Sequence, residues 1–175
     1  MLIIGCGNRE RSDDGAGILV AERLRELGIR ADTRSGEAVD LIEAWKGADD
    51  VIVVDAVVTG APVGTVQAWD GRQPLASVST TTSTHGLGLA EAIQLAHVLD
   101  RVPTRLRVYG IEGRRFQLGA DISPEVQRAV EVVVRRIIAD LSGKHLSDQG
   151  APAPSPRAYQ RNSTQEQAAP GVFSQ

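Results

Sequence analysis

Three side chains of this 175-residue chain stand out for the chemistry their types and settings allow: Asp14, Asp55 and His85. Two carboxylates and one imidazole can bind a first-row divalent metal while leaving positions open for water or a substrate atom. Either carboxylate can also act as a base. Asp14 lies in a loop with a second acid, Asp13, and with Gly5, Gly7, Gly15 and Gly17 around it. Asp55 closes the β-branched run Val51-Ile-Val-Val54, and Ala56-Val57 keeps the segment apolar beyond it. His85 precedes a helical pattern, where the positive end of the helix dipole favours a neutral imidazole. Each also has a plain structural reading. Ser12, Asp13 or Asp14 can cap a helix, Asp55 can close a turn, and His85 can be a polar loop residue.

Positioning these groups requires a sheet with loops at the carboxyl ends of its strands. Leu2-Ile-Ile4 reads as a strand that breaks at Gly5 and Gly7, and Ala16, Val20, Leu24 and Leu27 read as the first helix. Gly28 stops that helix, and Ile29–Arg34 alternates as a second strand. Val39, Leu41, Ile42 and Trp45 have helical spacing, and Val51–Val54 has the uninterrupted apolar character of a strand covered on both faces. After a turn at Thr59–Pro62, Gly64–Trp69 reads as an antiparallel edge strand. The Ser- and Thr-rich stretch Asp70–Thr84 reads as loop. Leu87, Leu89, Ala90, Ile93, Ala96 and Val98 form a third helix. Leu106, Val108 and Tyr109 lead into a strand closing at Gly110, with Glu112 just beyond. Ser123-Pro124-Glu125 is a helix start with Ser as cap, and Val126, Val130, Val133, Val134, Ile137, Ile138 and Leu141 make one apolar stripe. This order predicts an α/β fold, a three-layer αβα domain over residues 1–142 with a mostly parallel twisted sheet of about five strands. Residues 143–175, rich in Pro, Gln, Ser and Ala, read as a disordered tail.

Bulk properties exclude several classes. Hydrophobic content of 42% and charged content of 23% fit one globular domain. A net charge of -3 carries no electrostatic footprint for nucleic acid. No apolar run is long enough for a membrane span and no secretory signal opens the chain, so a cytoplasmic protein is expected. The lone Cys6 excludes an internal disulfide framework, and between two glycines at a buried strand end it reads as a small core residue instead of a nucleophile. A dinucleotide site would need glycine where Glu10 stands, and a P-loop would need Gly-Lys-Ser/Thr where the acidic pair lies, so no nucleotide cofactor is expected.

Taken together, Gly5-Cys6-Gly7-Asn8, Asp13-Asp14-Gly15-Ala16-Gly17, Val53-Val54-Asp55-Ala56, Ser83-Thr84-His85-Gly86-Leu87, Gly110-Ile111-Glu112, Leu118-Gly119 and Ile122-Ser123-Pro124 resemble the maturation endopeptidases of [NiFe] hydrogenases, over residues 1 to about 141. The resemblance implies an enzyme that removes a C-terminal peptide from the hydrogenase large-subunit precursor once nickel is in place. It implies that Asp14, Asp55 and His85 contact nickel carried by that precursor, with Asp14 and Asp55 also contributing to catalysis. Three ligands leave room for the precursor's own thiolates, so binding would discriminate loaded from empty precursor. The alternative is a maturation module on the same fold that binds metal or precursor without cutting. Two loops depart from the family pattern. Gly113 follows Glu112 where proline is common, which is expected to loosen that loop, and Gly36-Glu37-Ala38 stands where many members carry two glycines and a small hydroxyl residue. Both loops are expected to face substrate, which makes Gly36, Glu37 and Glu112 candidate substrate-binding residues.

Overall fold

The computed structural model describes residues 1–73 and 87–143. The readings of a loop at 74–84, of His85 and of a tail at 144–175 therefore lie outside the described residues. Among the described residues the elements are β1 (Leu2–Cys6), α1 (Ala16–Glu26), β2 (Asp32–Arg34), α2 (Ala38–Ala44), β3 (Asp50–Val57), β4 (Val66–Asp70), α3 (Leu87–Val98), β5 (Arg105–Glu112) and α4 (Pro124–Leu141), with a short 3-10 turn at Ser12–Gly15. The five strands form one sheet in the order β2-β1-β3-β5-β4, parallel except for the edge strand β4, which runs antiparallel to β5. No helix among the described residues is long and apolar enough to cross a membrane.

The alternation of side chains along the central strands decides the layers. Ile52 and Val54 on β3 join Ile3, Tyr109 and Ile111 in a core covered by α1 and α4. Val51 and Val53 point the other way, with Ile4, Cys6, Leu106 and Val108, into a core covered by α2 and α3. A strand buried on both faces needs no polar alternation, which is why Val51–Val54 is continuous. Apolar burial on the two faces supplies most of the driving force, at about 25 cal/mol per Å² removed from water.

Close backbone packing sets the first crossover. A Cβ built on Gly17 would overlap the carbonyl oxygens of Val54 and Cys6, and one on Gly5 would overlap the Gly17 carbonyl oxygen. Only glycine at both positions lets α1 start directly against β1 and β3. The Asp13-Asp14 turn is thereby held at the carboxyl ends of those strands.

Several expectations shift at their edges. β2 is three residues long instead of Ile29–Arg34. Strand β3 continues through Asp55 to Val57, and β5 continues past Gly110 to Glu112, because the two pair in register along Asp55↔Gly110 and Val57↔Glu112. Asp70 belongs to β4, not to the loop after it. Leu27, Val39, Val98 and Leu141, each counted in an apolar helix stripe, are exposed. Ser123 does precede α4, yet its hydroxyl does not cap that helix, since it donates to Asp13.

Candidate active site

The two acids of the first loop have separate fates. Neither caps a helix: the 3-10 turn and α1 have no side-chain cap bond. Asp13 is fully buried and accepts the backbone N–H groups of Arg114, Arg115 and Ser123 at 3.0, 3.0 and 2.7 Å, together with the Ser123 hydroxyl at 2.9 Å. Burial alone would raise its carboxyl, but the bonds from Arg114, Ser123 and Arg115 outweigh that and hold it below the usual carboxylate range. Asp13 is thus a tether between the first loop and the segment leading to α4. Sequence reading missed it because its partners lie about a hundred residues away.

Asp14 has different partners. Its side chain is 3% exposed and accepts the Asn8 N–H at 3.1 Å. Asp55, 7% exposed on β3, accepts the N–H of Ala56 at 2.9 Å. Burial pushes the Asp55 carboxyl up, the negative charge of Asp14 pushes it further, and the Ala56 bond opposes both; it settles at about 7. The fold therefore brings Asp14 and Asp55 into electrostatic contact where β1 and β3 end. That placement is where open α/β sheets bind ligands.

Cys6 ends β1, near enough to Asp55 to feel its charge. It is fully buried, and burial first, then the charges of Asp55 and Asp40, push its thiol well up, against a small opposing effect of Arg34. Such a thiol stays protonated and behaves as an apolar side chain.

Gly36, Glu37 and Glu112 have separate settings. Gly36 is buried with φ at +91°. A Cβ on Gly88 would overlap the Gly36 carbonyl oxygen, so the first turn of α3 rests on the 35–37 loop. His85 lies outside the described residues, and α3 begins two residues after it. Glu37 is exposed at the entry to α2. Glu112 is buried at the end of β5, and its carboxylate accepts the N–H groups of Thr59 and Gly60 at 2.9 Å and the Thr59 hydroxyl at 2.8 Å. Gln67 donates to the same hydroxyl at 2.8 Å. Glu112 thereby fixes the chain where it leaves β3, two residues beyond Asp55's apolar neighbours. Among the described residues, no group of three or more His, Cys, Asp or Glu side chains is arranged to hold a metal.

The expected loosening at Gly113 does not occur. Its N–H donates to the Val57 carbonyl at 2.9 Å, a bond proline lacks the donor to make.

Comparison with known proteins gives this rim a family. The family model for hydrogenase maturation proteases matches residues 33–140. The hydrogenase 2 maturation protease of Escherichia coli is 25% identical over 148 residues, covering 81% of this chain and 90% of that protein. Among solved structures, the [NiFe] hydrogenase maturation protease HybD from Thermococcus kodakarensis superposes with a TM-score of 0.65 at 25% identity, over 80% of this chain and 97% of the other. The E. coli endopeptidase HybD matches with a TM-score of 0.68 at 22% identity, over 82% and 93%, which supports the fold. The five-stranded sheet carrying Asp14 and Asp55 at its rim is thus the sheet of a peptidase, and the chain belongs to the hydrogenase maturation protease family.

Proposed function

We propose that this protease removes the C-terminal extension of a [NiFe] hydrogenase large-subunit precursor after nickel insertion, with the nickel carried by the precursor as the signal for cutting. The observation that carries the reading is the buried Asp14 and Asp55 pair, in which Asp55 is held at about 7. Two buried carboxylates repel, and a divalent cation placed between them turns that cost into attraction. A precursor bringing such a cation is bound more tightly than an empty one, so the same acids recognise the metal and supply specificity. His85 is the third nickel contact in this reading, and the precursor fills the rest of the coordination sphere.

The value near 7 belongs to the metal-free pair; a cation between the acids lowers it and keeps the Asp55 carboxylate ionised, able to accept a proton from water. In the cutting step a water oxygen attacks the scissile carbonyl carbon, and its proton passes to the carboxylate of Asp55. The C–N bond then breaks as that proton is handed to the leaving amine. Asp14 shares the nickel with Asp55. Gly36 and Glu37 shape the floor and edge where the substrate enters, and Glu112 contributes to substrate binding through the Thr59–Gly60 loop that it holds.

The test is the intact mass of the large-subunit precursor after incubation with the protein, with and without nickel loading. Loss of a C-terminal peptide from the loaded form alone is the expected result. Loss from both forms equally would overturn the nickel check, and loss from neither would overturn the cleavage.

A further inference from the structure

Residues 113–123, between β5 and α4, carry no regular secondary structure, yet the backbone is pinned along its length. Besides the bonds to Asp13, the Asp13 N–H donates to the Arg115 carbonyl at 3.0 Å and the Gly119 N–H to the Glu10 carbonyl at 2.9 Å. The Ser12 hydroxyl donates to the Asp121 carbonyl at 2.7 Å. A long irregular segment held this firmly in a small domain has usually been built to present something.

What it presents is cationic and apolar. Arg114, Arg115 and Gln117 are exposed, and Leu118 is 71% exposed. From Arg114 to Ala120 the segment has no acid, in a chain of net charge -3. Neither arginine side chain has an ion-pair partner among the described residues. In the neighbouring groove between α1 and α4, about 550 Å³ in volume, the acids Glu22, Glu26 and Glu131 already pair with Arg9 or Arg23, which among the described residues leaves only Arg128 over. Glu10 and Asp121 are the exposed acids that flank the ridge. Arginine is enriched at binding hot spots, and the exposed leucine adds apolar area beside the two unmatched arginines.

We propose that the 114–118 ridge docks the protein substrate through a segment of that substrate bearing acidic and apolar side chains near the bond that is cut. The inference rests on the reading that the substrate is a precursor protein. Because Asp13, which pins the ridge, is adjacent in sequence to Asp14, a docked segment is held at a fixed offset from the acid pair. Orientation of that kind raises the rate by placing the scissile bond before chemistry begins.

The experiment compares the full chain with R114E/R115E and with L118S, measuring the dissociation constant for nickel-loaded precursor by calorimetry and KM and kcat by mass spectrometry. Reversing two unmatched charges at a docking surface should weaken binding and raise KM about tenfold or more, and L118S about fivefold, with kcat unchanged. Wild-type affinity should fall as ionic strength rises, and that of R114E/R115E should not. Dissociation constants within about twofold of wild type would overturn the proposal, as would a loss confined to kcat. The substituted side chains are exposed, so melting temperatures should match; if R114E/R115E fails to fold, R114Q/R115Q and L118S decide the matter by the same measurements. A wild-type protein that binds precursor without cutting it sinks the cleavage reading alone, since the binding constants still judge the ridge. A wild-type protein that does not bind precursor overturns the ridge.

Discussion

Strand β3 begins and nearly ends with an aspartate, and the two ends of the sheet treat them in opposite ways. At the amino end, Asp50 pairs with Arg105 and with Arg107, and Arg107 reaches on to Asp140 at 2.6 Å, which also receives the Tyr109 hydroxyl at 3.1 Å. Burial would raise the Asp50 carboxyl, but the two arginines outweigh it and hold it low. Burial, with Asp140 beside it, pushes the Tyr109 hydroxyl up to about 12. At the carboxyl end, Asp55 meets another acid instead of a cation and is pushed up to about 7. One end is arranged so that charges stabilise the native state. The other holds a charge the fold would be more stable without, which is the usual mark of a working site.

That contrast is broken most directly by Asp55→Asn, which keeps shape and removes charge. Under the proposed function, processing of nickel-loaded precursor, followed by intact mass, should fall at least about a hundredfold, because that reading makes Asp55 both the base and a nickel contact. Thermal unfolding should show a melting temperature equal to wild type or higher, because the buried charge facing Asp14 is gone. Unfolding of this variant would mean that Asp55 is structural, and the two ends would no longer differ.

The matching change at the amino end is Arg107→Leu, which leaves Asp50 with Arg105 and removes the Arg107 bond to Asp140. Breaking a well-buried ion pair costs several kcal/mol; these groups are partly exposed, so about 2 kcal/mol is expected in urea unfolding. The processing rate per folded molecule should be unchanged. A drop in that rate without a drop in stability would show that the amino end also serves the reaction.

How much of this was legible follows from the range of the interactions. Val51–Val54 declared a central strand because burial on both faces is written in four consecutive residues, and Pro124 declared the start of α4 because a fixed φ suits the first helical turn. β4 is the antiparallel edge strand expected, but it pairs with β5 and not with the β3 it follows, so the short turn before it was not the reason. Asp55 could be singled out because an acid inside an apolar run asks for a reason. Asp13 could not be told from Asp14, since the difference lies in Arg114, Arg115 and Ser123, far along the chain. Glu112 was legible as a strand-end acid, but its hold on Thr59 and Gly60 depends on β3 and β5 being neighbours. The glycine pattern was visible, and its purpose, the contact of α1 with the backbones of β1 and β3, needed the packed structure.

The smallest effect per step is a tilt of stability with pH, and the two aspartates of β3 should tilt it in opposite senses. Asp50 has a folded pKa below its unfolded value, so its contribution is present above about pH 4 and is lost as pH falls through the depressed value. Asp55 has a folded value of about 7, so between about pH 4 and that value the native state holds a proton that the unfolded chain has released. Stability from this group therefore falls as pH rises across that window and is level above it, with a slope of at most about 1.4 kcal/mol per pH unit. Repulsion by Asp14 spreads the titration and makes the tilt shallower. Urea unfolding in chelator-treated buffer at pH 5, 6, 7 and 8 should show the stability of Asp55→Asn rising relative to wild type up to about pH 7 and then holding a constant gap. Parallel curves from pH 5 upward would mean that Asp55 ionises at an ordinary value, and the acid pair would lose its stored repulsion.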